Sequence, residues 1–158
     1  MRELIIYGER PARAAFAKRA VRVFAEHLSS NGLRLTNQRL AILRALLTSD
    51  RHLSQEEIHR ALSGQGVGRA TVFRTLKTLQ DSGLAAPVVG RDGVPRYEIN
   101  LERPHHDHLI CVDCGRIQEV RWPKLEAIQD EACRQAGFQA RWHRHEVYGL
   151  CRDCRSRK

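Results

Sequence analysis

The chain has 158 residues, 42% of them hydrophobic, enough for one ordinary domain or two small ones. Its apolar run near the start, "LIIYG", is too short for a signal-peptide core or a membrane span, so a cytoplasmic protein without a membrane partner is expected. Lys and Arg number 27 against 18 Asp and Glu, a formal net charge of +9 that points to a polyanionic partner; the 5 cysteines, in a reducing compartment, point to metal rather than disulfides.

From Pro11 to Ser30, Phe16, Ala20, Val23, Phe24 and Leu28 recur at helical spacing among Arg13, Arg19, Arg22 and Glu26, which predicts an amphipathic helix with a basic outer face. Gly32 breaks it. Thr36 can cap a second helix whose apolar face is Leu40, Leu43, Leu46 and Leu47. Ser54 and Glu57 have the spacing of a capping box, opening a third helix that runs to about Leu62. After the glycines of "SGQGVG", Val72, Leu76 and Leu79 predict a fourth helix from Arg69, ended by Gly83. Two short helices joined by a glycine turn are a helix-turn-helix. The segments "LAAPVV" and "PRYEI" flank "GRDG" and read as a two-stranded wing. Beyond Pro104 the pattern changes to strands at 108–113 and 117–121, a helix at about 124–136 between Pro123 and Gly137, and a strand at 138–148; the basic "RSRK" tail is expected to fray.

On the fourth helix, the side opposite Val72, Leu76 and Leu79 presents Arg69, Thr71, Phe73, Arg74, Lys77 and Thr78. An arginine can bond a guanine edge bidentately and an apolar ring can meet thymine methyls, so this face is the candidate reader of a major groove. The alternative is a solvated basic face with Phe73 packed into a neighbouring helix.

Cys111-x2-Cys114 and Cys151-x2-Cys154 are two pairs that can close a tetrahedral thiolate zinc site, provided the segment between them folds back. Cys133 falls on a helix pattern and is expected as a small core residue. In "RPHHDHLICVDCG", an extended backbone puts His106 and His108 on one face and His105 and Asp107 on the other, so one stretch can serve two metal sites. Each pair needs further imidazoles or carboxylates; the candidates are Glu98, Glu119, Glu126, His143, His145 and His52.

The segments "GLRLTNQRLAIL", "GRATVFRTL", "HHDHLICVDCGRIQE" and "HRHEVYGLCRDC" together resemble the ferric uptake regulator (Fur) superfamily of metal-responsive repressors, over about residues 28 to 154. The resemblance implies an α+β protein: a winged helix-turn-helix DNA-binding domain, a hinge at 99–104, and a small α/β dimerisation domain over 105–158 with a four-cysteine zinc site; the N-terminal helix, which lies ahead of the family's motifs, is grouped with the DNA-binding domain over 1–98. It implies structural Zn2+ on Cys111, Cys114, Cys151 and Cys154, a regulatory site from His52, Glu98, His106, His108 and Glu119, and an additional site from His105, Asp107, Glu126 and His143. Arg34, Phe73 and Arg74 fall where the family contacts DNA, although the family's usual tyrosine is here Phe73.

A protein of this kind is expected to be a regulator and not an enzyme: a homodimer, or a tetramer, on double-stranded operator DNA. Regulatory ligands split across the hinge would make a divalent metal a corepressor by favouring one domain arrangement. Glu119 in place of aspartate resembles iron sensors, and no cysteine lies between Arg69 and Ile110 as in a zinc-sensing type, so Fe2+ is expected, with Zn2+ or Mn2+ as alternatives. A metal-dependent hydrolase would leave the basic helix unexplained. A constitutive nucleic-acid-binding protein with only structural zinc would bind DNA without regard to exchangeable metal.

Overall fold

In a computed structural model, residues 5–6, 13–90, 92–101, 105–141 and 143–157 are described. They divide into two compact units, one of residues 13–101 and one of 105–157 together with Ile5–Ile6. The expected helix start at Pro11, Arg91 of the hairpin, and Pro104 with the end of the hinge lie outside the described residues.

In the first unit, helix α1 (Arg13–Ser30) buries Ala20, Phe24 and Leu28, the stripe that its 3.6-residue period lines up. Helix α2 (Asn37–Thr48) begins where the Thr36 hydroxyl accepts from the Arg39 amide at 3.3 Å, and it buries Ile42, Leu43, Leu46 and Leu47. Helix α3 (Gln55–Leu62) starts on a complete capping box: the Ser54 amide donates to Glu57 at 2.8 Å and the Glu57 amide donates to the Ser54 hydroxyl at 3.2 Å. A single 3-10 turn and Gly66, at φ 73, then reverse the chain into helix α4 (Arg69–Asp81). Only a residue at ease with positive φ fits there, and Gln38 on α2 locks the turn by donating to the Gly66 carbonyl at 2.8 Å. Ile58, Val72, Leu76 and Leu79 join the core of α1 and α2.

The wing differs from its prediction. Its strands β3 (Ala85–Val89) and β4 (Pro95–Ile99) pair as expected, but a further strand, β2 (Leu53–Ser54), sits on the other side of β4, so the sheet has three strands in the order β2-β4-β3. Two residues are too few to show a strand period, and the segment signals only the cap that follows it. Pro87, which has no amide to donate, falls on edge strand β3.

The second unit holds a mixed sheet in the order β1-β6-β5-β7. Strands β5 (Asp107–Cys111) and β6 (Ile117–Arg121) are antiparallel, β1 (Ile5–Ile6) pairs with β6, and β7 (Glu146–Gly149) runs parallel to β5. Helix α5 (Pro123–Gln135) makes the crossover, with Pro123 in its first turn. The strand predicted over 138–148 is therefore much shorter: β7 begins at Glu146, the partner of His108, and β5 extends only one residue upstream of that pair, to Asp107, so most of the segment has no strand to pair with. Cys133 is half-buried rather than core, because among its neighbours on α5 no residue is fully buried. A short helix α6 (Arg152–Arg155) ends at Arg155, the first residue of the tail expected to fray. No described helix is long and apolar enough to cross a membrane.

Candidate metal centres and nucleic-acid interface

The parallel pairing of β5 with β7 sets Cys111 opposite Gly149, two residues before the second cysteine pair. The first pair turns in a tight knuckle, the Gly115 amide donating to the Cys111 carbonyl at 3.0 Å with Gly115 at φ 69. Cys151 caps α6 and Cys154 lies one turn into it. The sulfurs of Cys111, Cys114, Cys151 and Cys154 all lie within 4.8 Å of one another and none is in a disulfide. Amide donors from Cys114 and Cys151 lower the Cys111 thiol to about 6, whereas burial pushes Cys154 up to about 12 against the pull of Arg157, whose guanidinium donates to its sulfur at 3.0 Å. Four converging sulfurs of this kind fit a closed tetrahedral zinc site, in which all of them ligate as thiolates.

A second cluster gathers His105 and Asp107 at the start of β5, Glu126 on α5 and His143 in the segment ahead of β7. His105 Nε2 is 3.0 Å from Asp107 Oδ1 and 3.5 Å from Glu126 Oε1; His143 Nε2 is 3.1 Å from the same Glu126 oxygen. The donor atoms of His105, Asp107, Glu126 and His143 all lie within 4.8 Å of one another. Asp107 is 1% exposed and its Oδ2 has no hydrogen-bond partner. A buried carboxylate with an orphaned oxygen, surrounded by imidazoles, has the composition of a divalent-cation site.

The expected regulatory ligands fall in both units. In the first unit, β2 pairs with β4 so that Leu53 faces Tyr97 and Ser54 faces Arg96; the next step of that register brings His52 to Glu98. Their side chains meet at 3.4 Å, His52 Nε2 to Glu98 Oε2, and both are buried. In the second unit, the His106 and His108 rings pack edge to face at 5.1 Å, on the side of β5 away from Asp107. His108 stands opposite Glu119 in the β5–β6 ladder, and directly opposed residues share a face. Imidazole and carboxylate donors, as each unit presents here, are of the kind that suit a first-row divalent metal.

The candidate nucleic-acid face is the exposed side of α4. Phe73 is 56% exposed, Arg74 and Lys77 are exposed, and Thr71 is half-buried. Phe73 therefore does not pack into a neighbouring helix. Gly68 has no side chain with which to cap α4; the Thr71 amide turns back to the Gly68 carbonyl at 3.0 Å, and the amides ahead of it can face a phosphate. Arg34 is exposed, its carbonyl accepting from Arg39 at 2.6 Å. Arg69 is differently placed, since its guanidinium donates to both carboxylate oxygens of Glu56.

Sequence reasoning overlooked two residues that touch these sites. Glu56 reads as ordinary first-turn acid on α3, and nothing in its spacing reveals that the helix-turn-helix brings Arg69 to it. Gln129 lies one turn beyond Glu126 on α5, with its amide 2.8 Å from His143 Nδ1; the i, i+3 spacing was the available signal.

The ferric uptake regulator family model matches residues 30–148. The ferric uptake regulation protein of Campylobacter jejuni is 36% identical over 139 residues, covering 85% of this chain and 88% of that protein. The peroxide-responsive repressor PerR of Staphylococcus saprophyticus is 34% identical over 132 residues, covering 82% and 88%. The solved structure of the Helicobacter pylori ferric uptake regulator Fur, described as revealing three functional metal binding sites, superposes with a TM-score of 0.82 at 27% identity, over 88% of this chain and 93% of that one.

Proposed function

The chain belongs to the ferric uptake regulator family of metal-responsive transcriptional regulators, and from that membership we propose that it is a cytoplasmic repressor that binds operator DNA as a dimer, with a divalent metal as corepressor. One observation carries the metal-responsive part of this reading: each unit presents its own nitrogen and carboxylate donors, His52 with Glu98 in the unit that carries α4, and His106, His108 and Glu119 in the unit that carries the zinc-type cysteines. Donors from both units, sharing one cation, would favour the domain arrangement in which they converge. That arrangement is proposed to space two recognition helices about one DNA turn apart. Arg34, Arg69, Thr71, Phe73, Arg74 and Lys77 are the proposed DNA contacts, with Phe73 meeting thymine methyls through its ring alone.

Exposed apolar side chains in the second unit, Ile128 on α5 together with Phe138, Val147 and Tyr148, support dimerisation there. A tetramer is the alternative assembly. The metal is proposed to be Fe2+, on the ground of Glu119 in the regulatory set, with Zn2+ or Mn2+ next. The similarity to an iron-named and to a peroxide-named relative is nearly equal and does not separate them. Anaerobic operator-binding titrations with Fe(II), Mn(II) and Zn(II) test the reading. Enhancement by one metal at the lowest free concentration identifies the corepressor; affinity indifferent to all of them makes the protein a constitutive DNA-binding module.

A further inference from the structure

We propose that Gln129 and His145 are positioning residues of the cluster His105, Asp107, Glu126 and His143, Gln129 fixing the ring of His143 and His145 the carboxylate of Asp107. This rests on the reading of that cluster as a divalent-metal site. Neither residue belongs to the set of mutually close donor atoms.

His143 is held at both ring nitrogens. Nε2 lies 3.1 Å from Glu126 Oε1 and Nδ1 lies 2.8 Å from the Gln129 amide. Glu126 and Gln129 are three residues apart on α5, so one helix face grips both edges of the ring. An imidazole ligates through an unprotonated nitrogen and donates the N–H of the other, so ligation through Nε2 requires a proton on Nδ1 and an acceptor beside it. In this structure the Gln129 amide nitrogen faces Nδ1 and donates to it, which leaves the ring proton on Nε2 toward Glu126. Turned over, the same amide presents its carbonyl oxygen and supplies the acceptor that ligation through Nε2 requires. A carboxamide satisfies the ring in both forms, which suits a site that fills and empties.

Asp107 is gripped from the other side. Its Oδ1 has His105 Nε2 at 3.0 Å and His145 Nδ1 at 3.4 Å. His145 Nδ1 is buried and makes no hydrogen bond in this geometry, and its ring packs on His143 with centroids 4.8 Å apart. The backbone is anchored, since the His108 amide donates to the His145 carbonyl at 3.2 Å. A small rotation of the ring completes an N–H to Asp107 bond, which would orient a carboxylate that is otherwise 1% exposed and short of partners.

The test is an anaerobic Co(II) titration of the full-length, zinc-loaded chain, followed by visible d–d absorption, with zinc content and circular dichroism as controls for folding. Glu126→Gln identifies the binding class that belongs to this cluster. For that class, Gln129→Leu and His145→Leu are expected to weaken Co(II) binding by about 10- to 100-fold. Gln129→Glu, which can only accept from Nδ1–H, is expected to bind at least as tightly as the parent, and His145→Asn, which keeps a donor near the Nδ1 position, to retain most of the affinity. Parental affinity in both leucine variants overturns the positioning roles. So does equal weakening in the leucine variants and their Glu and Asn counterparts, which would mean packing alone. If Glu126→Gln loses no binding class, the cluster is not a metal site and the proposal falls with it. Should a leucine variant fail to fold, the sign of the Gln129→Glu change decides: weaker binding than the parent overturns the proposal.

Discussion

Arg69 and Glu56 face each other across the helix-turn-helix, Arg69 Nε donating to Glu56 Oε2 at 3.1 Å and Nη2 to Oε1 at 2.9 Å. The hydrogen bond to Arg69 lowers the Glu56 carboxyl below its usual range and raises the guanidinium, so both stay charged. The first cation of α4 thus already has an acidic partner, and a DNA phosphate meeting this helix as proposed would have to compete for it.

Glu56→Gln is expected to tighten binding to operator and to random DNA alike, because it frees a cation and removes a like charge facing the phosphates without touching a base-reading side chain. The salt dependence should steepen by about one unit of log K per log salt, the release expected from one more neutralised phosphate. Thermal stability should stay close to the parent, since the pair is 66% and 50% exposed at its two side chains. Unchanged affinity and slope would mean that Arg69 points away from DNA.

The Glu57 carboxyl gives stability a dependence on acid. Burial raises its pKa, but the Ser54 amide and hydroxyl and the Arg51 guanidinium, which donates at 2.7 Å, together outweigh that and lower it from 4.5. Its stabilisation is therefore complete above 4.5, the unfolded value, and is lost as the pH falls through the lower folded value. Glu57→Gln should flatten that part of a stability-against-pH curve, and Ser54→Ala should cost about 1 kcal/mol at neutral pH from the lost cap. Denaturant unfolding at a series of pH values measures both.

The helices of the first unit were legible because each carries its own signals: Ala20, Phe24 and Leu28 at helical spacing, Ser54 with Glu57 at a helix start, and glycines at the turns. The two faces of residues 105–108 were legible from strand alternation, although His105 and His106 precede the strand proper. Features made by pairing at a distance were not. Strand β2 exists only because β4 lies beside it, and its register is what delivers His52 to Glu98. The shortness of β7 follows from where β5 begins, and the Arg69–Glu56 pair from how two helices cross.

The cysteines make a prediction about folding. Cys151 Sγ is 3.8 Å from Cys114 Sγ, and its amide donates to Cys111 Sγ at 3.4 Å, so this residue ties the two knuckles together. Cys151→Ser should lower the zinc retained after mild chelation from about one per chain and destabilise the sheet unit, because a site absent from the unfolded chain returns its binding energy to folding. Metal analysis and a thermal melt read the two effects. Loss of all zinc with no change in melting would separate these sulfurs from the stability of the fold.

The last prediction separates response from structure within a single strand. His106 and His108 lie on one side of β5 with their rings 5.1 Å apart, while His105 lies on the other, 3.0 Å from Asp107. If the His106 side shares its cation with His52 and Glu98 of the other unit, His106→Ala should leave a folded, zinc-containing dimer whose operator affinity no longer rises when Fe(II), Mn(II) or Zn(II) is added. The energetic reason is that a ligand shifts a two-state equilibrium only by its difference in affinity for the two states, and removing an imidazole donor that bridges the units shrinks that difference without disturbing the thiolates. His105→Ala belongs to a cluster built within one unit, so it should change the response less. Both variants are compared with the parent by operator binding under anaerobic conditions, with dimer mass and zinc content measured alongside. A His106→Ala protein that responds like the parent, next to a His105→Ala protein that does not, would move the sensing role to the Asp107 side of the strand.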